Sequence, residues 1–444
     1  MAKLSAPSGF RDFLPDQFRK RSELICRIRD VYEAFGYEGI DTPAMEKLAV
    51  FLGKGGGENE KLMFRVLKRG AELGRALEKQ GELADMGLRF DLTVPLARYF
   101  ATHRGELPAV FKRYHIGPVW RAERPQHGRF REFVQCDVDV LGSPSPLAEA
   151  DVILATATAL EALGFTSLTV RLNSRPLLGQ LVRAAGVPED LVNGVFTSID
   201  KLDKLPPDEV KKEMLGRGVA DAAATSLLEF AQASETLDDA AKLAEVERRC
   251  GETGAALLSQ LREVISMTPE LPSGKLVFDP FLARGMDYYT GPIFEVAAEG
   301  VPFSLAGGGR YDELVGVLSG QKIPAVGFSI GFERVYTLML ERKMFAAGDR
   351  AAEVLVTIPH PSMAAEAVKL SAELRGPGLR VDLFPGKAKL PQQFALAEKK
   401  GIPFTASVSE EELSKGVVTL RDLSTRKNEQ VERAKAAEWL KGKV

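Results

Sequence analysis

The chain of 444 residues carries 59 Lys and Arg against 61 Asp and Glu, a formal net charge of −2, and 45% of it is hydrophobic. Such a length exceeds one compact core and predicts roughly two to four domains, while the apolar fraction excludes wholesale disorder. The balanced charge excludes a protein that coats DNA or RNA indiscriminately, although local basic patches stay possible. No apolar run is long enough to span a bilayer, and the opening MAKLSAPSGFRDFLPDQ lacks the apolar core of a signal peptide. Cys26, Cys136 and Cys250 are odd in number and far apart, which implies neither a disulfide framework nor a zinc knuckle. These features predict a cytoplasmic location with no membrane association.

In chain order, Asp16 is placed to cap a helix whose apolar positions Leu24, Ile28, Val31, Tyr32 and Phe35 recur at helical spacing, and Gly36 stops it. Tyr37 to Thr42 has strand character and ends at Pro43. Lys54 to Asn59 (KGGGEN) reads as a flexible loop, and helix-like charged sequence follows to Asp85. Leu88 to Pro95, Ala109 to Ile116, Val119 to Ala122 and Phe133 to Val140 are short apolar segments that predict antiparallel strands. Leu147 to Leu163, rich in Ala and Leu, predicts a helix.

From about Leu172 to Leu271 charged amphipathic helices dominate, as in Pro207 to Leu215 and Ala240 to Val264, which predicts an inserted helical domain. Strand-like sequence returns at Leu276 to Asp279 and Ile293 to Ala297, and Gly307 to Gly309 precedes a helix over Tyr311 to Leu318. After a linker near Arg342 to Arg350 the rhythm changes. Val354 to Ile358 and Arg380 to Phe384 read as strands, Met363 to Leu374 and Pro391 to Lys400 as helices, and FTASV and VVTLR as further strands. That alternation predicts a small βαβα domain with a largely parallel sheet.

Phosphate-loop chemistry is absent: there is no GxxxxGK[ST] and no GxGxxG between strand and helix. The four histidines, His103, His115, His127 and His360, form no metal-ligand spacing. Chemistry concentrates instead in VWRAERPQHGRFREFVQCDVDVLG, Val119 to Gly142, which reads as strand, charged loop, strand. From Lys112 to Glu132 the basic residues are Lys112, Arg113, Arg121, Arg124, Arg129 and Arg131, against Glu123 and Glu132. Arg121 at the mouth of such a hairpin can grip a phosphate bidentately. Gln135, Asp137 and Asp139 alternate at period two and so share one strand face. For any one of these carboxylates a solvated sheet face is the better reading. Together, beside so many basic groups, they point to a polar ligand.

This segment resembles motif 2 of the class II aminoacyl-tRNA synthetases, in the wording of the histidyl-tRNA synthetase family. Other segments agree in order: GFRDFLP (Gly9 to Pro15) with the entry to motif 1, RFDLTVPLARY (Arg89 to Tyr99) with the amino-acid-binding strand, LARGMDYYTGPIFE (Leu282 to Glu295) with the histidine signature. AGGGRYDELVG (Ala306 to Gly316) and AVGFSIGFERV (Ala325 to Val335) resemble the glycine-rich strand turn and motif 3.

The resemblance implies an α+β catalytic domain with an antiparallel sheet (residues 1–171 and 272–341), a helical insertion (172–271), a linker (342–350) and a C-terminal α/β anticodon-binding domain (351–444). It implies that Asp91, Thr93 and Gln135 hold the α-ammonium of L-histidine, and that Asp139 and Tyr289, with Tyr288, contact its imidazole. Arg121 and Arg284 would flank the α-phosphate of ATP and also border the bound histidine, and with Gln135 they are the expected catalytic groups. Arg334 would lie against adenine and the γ-phosphate, with Glu123 on the nucleotide. Arg124, Gln126, Arg129 and Arg131 would meet the acceptor end of tRNA(His). Mg²⁺ is expected on the β- and γ-phosphates, held largely by ATP itself, and no protein ligand is assigned to it. A homodimer is expected from motif 1 alone. Two rival readings stand beside this one: a non-catalytic, histidine-sensing regulatory subunit of histidine biosynthesis, and a class II synthetase for another amino acid. Regulatory paralogues typically lose the phosphate-binding arginines and the tail, both present here, and RGMDYYTG speaks against the second.

Overall fold

The computed structural model describes residues 4–52, 62–125, 128–284, 288–345 and 350–443. KGGGEN and the RGMD residues 285–287 therefore lie outside the described residues, as does Gln126. The chain divides into two compact units, one of residues 1–12 and 19–344, the other of 13–18 and 345–444.

The larger unit holds strands β1 (Glu38–Gly39), β2 (Met45–Lys47), β3 (Arg65–Leu67), β4 (Ala84–Leu88), β5 (Phe111–Trp120), β6 (Glu132–Leu141), β7 (Leu168–Ser174), β8 (Gly274–Phe278), β9 (Pro292–Ala298), β10 (Ala306–Arg310) and β11 (Ala325–Gly331). Eight form one sheet in the order β1-β5-β6-β11-β10-β9-β7-β8, and β2-β4-β3 form a small second sheet. Only the β1–β5 and β7–β8 pairs of the large sheet are parallel. Parallel neighbours need a long crossover. Between β7 and β8 that crossover is the helical stretch Arg175–Ala184, Val192–Ile199, Pro207–Gly216, Asp221–Ser234 and Asp239–Met267.

Several expected elements shift. The apolar run Leu88 to Pro95 is no strand: the chain leaves β4 at Leu88, and Thr93 opens the helix Thr93–His103. Pro95 falls in the first turn of that helix, where a missing N–H is tolerated. Asp91 Oδ1 accepts the Val94 N–H at 3.1 Å, so the acid serves a helix start. Ala109 to Ile116 and Val119 to Ala122 merge into the single strand β5, since Gly117 and Pro118 do not break it. Asp16 lies inside the first turn of the helix Pro15–Ala34. The sequence before Asp85 is not all helical, holding β3, the helix Gly70–Glu78 and the start of β4.

The central hairpin is long and regular. β5 and β6 pair without a break from Phe111↔Leu141 to Trp120↔Glu132. One face of β6 presents Cys136, Val138 and Val140 as buried apolar groups, and the alternate face presents Gln135, Asp137 and Asp139. The helix Leu147–Ala162 packs on β6, β10 and β11; its many alanines permit close approach. Within it Glu149, wholly buried, takes a two-pronged hydrogen bond from Arg310 at 2.6 and 2.7 Å. This pins the end of the glycine-rich strand β10. Glu333, after β11, is held likewise by Arg21 at 2.7 Å on both oxygens and also by Arg11. Removing one partner of such a buried pair typically costs about 3–5 kcal/mol.

The smaller unit carries β12 (Val354–Val356), β13 (Val381–Leu383), β14 (Phe404–Ser407), β15 (Val417–Asp422) and β16 (Asn428–Glu432), ordered β13-β12-β14-β15-β16. β12 runs parallel to β13 and β14, but β14–β15 and β15–β16 are antiparallel, so the sheet is mixed, where the alternation of elements suggested a largely parallel one. Its core includes Val354, Val356, Leu370, Phe404, Val418 and Leu440. Among the described residues no helix is long and apolar enough to cross a membrane.

Candidate active site

A cavity of about 1130 Å³ opens within the larger unit. Asp91, Thr93, Arg121, Glu123, Arg129, Gln135, Asp139, Arg284, Tyr288, Tyr289 and Arg334 all line it, so residues spread over more than half the chain meet in one place. Arg124 and Arg131 do not line it. Arg124 is exposed, and Arg131 donates to the Glu123 carbonyl at 3.0 Å within its own loop.

One neighbourhood of the cavity is acidic. Asp91, Asp137 and Asp139 are 2–3% exposed, and they act on one another electrostatically. Burial pushes the Asp91 carboxyl up to about 6, against the pull of the Val94 N–H and of Arg121 and Arg113. Asp137 rises to about 7, again chiefly through burial. Asp91 Oδ2 and Gln135 Oε1 are buried and have no hydrogen-bond partner within the described residues. Gln135 is oriented by its amide, which donates to Ser329 Oγ at 3.0 Å. Unpaired acceptors of this kind suit a ligand rich in donors.

Asp139 differs from its neighbours in being held from two sides. Its Oδ2 lies 2.7 Å from Arg113 Nη2, an ionic contact whose N–H direction falls short of a hydrogen bond, and the Tyr311 hydroxyl donates to its Oδ1. Burial raises the Asp139 carboxyl, while Arg113 and Tyr311 lower it. The rings of Tyr288 and Tyr289 meet edge to face at 4.9 Å, and Tyr288 meets Tyr311 at 6.1 Å. Burial raises the phenols of Tyr288, Tyr289 and Tyr311, so all three keep their protons and remain donors.

The other neighbourhood is basic. Arg334 is disfavoured as a cation first by burial and then by Arg129, Arg284 and Arg121, with Glu295 in opposition. Four guanidiniums crowded on one cavity form a built anion site. Three of them are aimed by a neighbour. Arg121 Nε donates to the Phe90 carbonyl at 3.1 Å, Arg334 Nη1 to the Ser304 carbonyl at 3.0 Å, and Arg284 Nη1 to Glu295 Oε2 at 2.6 Å. Glu295 also lies 3.6 Å from Arg171, which is bound to Asp279 at 2.5 Å and to Asp203 of the helical stretch at 2.6 Å.

Two glycines make room for these groups. A Cβ at Gly307 would overlap the Arg284 guanidinium, and one at Gly327 would overlap the Asp139 carboxylate. Sequence reasoning missed Arg113, Tyr311, Ser329 and Glu295, and gave Asp137 a face but no role. The period-two pattern carried a signal for Asp137. Tyr311, Ser329 and Glu295 reach the cavity only through long-range strand pairing.

Among the described residues no three His, Cys, Asp or Glu side chains converge as metal ligands.

Residues 9–335 match the family profile described as histidyl-tRNA synthetase, and residues 353–443 match an anticodon-binding domain. The histidine–tRNA ligase of Gloeobacter violaceus is 38% identical over an alignment of 471 positions, gaps included, spanning 100% of both chains. That of Leifsonia xyli subsp. xyli is 46% identical over 346 residues, covering 76% of this chain and 80% of the relative. The solved histidyl-tRNA synthetase of Nostoc sp. PCC 7120 superposes with a TM-score of 0.83 at 30% identity, covering 100% of both chains.

Proposed function

The chain belongs to the histidyl-tRNA synthetase family, and on that premise we propose that it is an ATP-dependent ligase that activates L-histidine as histidyl-adenylate and transfers it to the 3′-terminal adenosine of tRNA(His). The observation that carries this reading is a single cavity lined by three buried carboxylates and four mutually repelling arginines. A cationic amino group and a polyphosphate are the complementary ligands.

In the activation step Asp91, Thr93 and Gln135 hold the α-ammonium, and Asp139 with Tyr289 and Tyr288 receives the imidazole. A neutral imidazole offers one donor and one acceptor nitrogen, which a carboxylate and a phenol satisfy. A histidine carboxylate oxygen attacks the α-phosphorus, the bond to the bridging oxygen breaks, and pyrophosphate leaves. Arg121 and Arg284 offset the charge that builds on the equatorial oxygens, while Arg334 and Glu123 fix the nucleotide. Mg²⁺ brought in with ATP would supply further charge neutralisation there. In the second step a ribose hydroxyl attacks the histidyl carbonyl carbon and AMP departs.

The loop Arg124 to Arg131 is assigned to the acceptor end and residues 351–444 to the anticodon, with residues 1–171 and 272–341 forming the catalytic domain and 172–271 an insertion. A cytoplasmic homodimer is the working form. A non-catalytic histidine sensor has no use for four arginines on one cavity.

The test is charging of tRNA(His) with labelled histidine. The full chain is expected to charge it, and a chain ending at residue 350 is expected to keep histidine-dependent pyrophosphate exchange while losing most charging. Absence of charging by the full chain rejects the ligase, and undiminished charging by the shortened one rejects the role given to the tail.

A further inference from the structure

Arg113 is completely buried, and none of its three guanidinium nitrogens makes a hydrogen bond within the described residues. Among the described residues its one ionic contact is Asp139 Oδ2 at 2.7 Å. The two residues are direct cross-strand partners in the β5–β6 register. From the other side Tyr311 holds Oδ1. On β11, Gly327 faces Asp139 and leaves the space that its carboxylate fills. Contacts from three sides thus leave this carboxylate one orientation.

A buried guanidinium with an ion-pair contact to a single carboxylate and no hydrogen bond among the described residues is an unfavourable way to stabilise a fold, because hydrophobic residues of similar volume usually serve as well or better. Its placement makes sense for the cavity. Asp91 and Asp137 crowd the same floor, and like charges favour a proton on one member of such a group. A protonated Asp139 would turn from a pure acceptor into a donor. Arg113 is absent from the cavity lining, so its influence on a ligand passes through the carboxylates it faces, Asp139 in contact and Asp137 and Asp91 through space.

Resting on the reading of Asp139 as an imidazole contact, we propose that Arg113 is a positioning residue that keeps Asp139 ionised and aimed at the ring N–H of the substrate, and so sets selectivity for a side chain bearing that N–H. The claim separates recognition from folding: loss of Arg113 weakens a ligand that offers a ring N–H and spares one of the same shape that does not.

The full-length protein is tested by histidine-dependent pyrophosphate exchange, with β-(2-thienyl)alanine as a competitive inhibitor whose ring lacks an N–H. Arg113→Met is expected to raise the KM for histidine about tenfold or more, with kcat, the KM for ATP and the Ki of thienylalanine all within about twofold. Adding Arg113→Met to Asp139→Asn is expected to change the histidine KM no further, since the two act as one unit. If the methionine variant does not fold, Arg113→Lys decides. It retains the charge but not the planar reach, so a rise of a few-fold in histidine KM with unchanged thienylalanine Ki supports the proposal, and no rise overturns it. Equal losses for both ligands would show that Arg113 merely supports the fold. Should Asp139→Asn leave the histidine KM untouched, the imidazole assignment itself fails; should it raise the KM while Arg113→Met does not, only the positioning role fails.

Discussion

Asp91 keeps one carboxylate oxygen on the Val94 N–H and the other buried without a hydrogen-bond partner among the described residues, and burial pushes its carboxyl up to about 6. A carboxyl that holds its proton more tightly in the folded chain than in the unfolded one favours folding at low pH. That contribution fades as pH rises from the unfolded value near 3.8 through about 6. At neutral pH the ligand-free protein is therefore destabilised by up to about 3 kcal/mol at this one position. Asp91→Asn keeps an oxygen for the Val94 N–H and removes the charge. Its thermal midpoint is expected to exceed that of the wild type at pH 8, by roughly twice the gain seen at pH 5, while histidine-dependent exchange is nearly lost. An equal or lower midpoint at pH 8 would show that the buried carboxylate carries no such penalty. Stability given up where a ligand must bind is the general pattern.

At the scale of elements, the glycines of β10 and β11 matter because of what lies over them. The group that a Cβ at Gly307 would meet is the far end of the Arg284 side chain, which can swing aside, so the strand survives and the arginine loses its place. Gly307→Ala is expected to lower kcat for exchange about 10²-fold, with histidine KM and thermal midpoint little changed; kinetics together with a melting curve check this. A large fall in the midpoint would instead assign Gly307 to packing.

The hairpin that bears the acids was legible, because period two put Gln135, Asp137 and Asp139 on one face. Its register was not: the long loop Arg121 to Arg131 cannot fix pairing as a two-residue turn does, so nothing in the sequence set Arg113 opposite Asp139. Leu88 to Pro95 misled for a different reason. A short apolar run looks alike in a buried strand and at a buried helix start, and here Asp91 and Pro95 favour the helix.

Over the whole molecule, motif order was readable from end to end, and it matches the family found by comparison. Periodicity does not record strand direction, which is why the mixed sheet of the smaller unit looked largely parallel. Pairs such as Glu149–Arg310 and Arg21–Glu333, more than 150 positions apart, likewise leave no local trace. Strands before and after the helical stretch build one cavity between them, and that cavity is where amino acid and nucleotide are held to meet. The direct measurement is exchange of labelled pyrophosphate into ATP by the full-length protein with Mg²⁺ and each standard amino acid in turn. Exchange that rises above background with histidine alone is the predicted result. Exchange with none of them, or stronger with any other, contradicts the account.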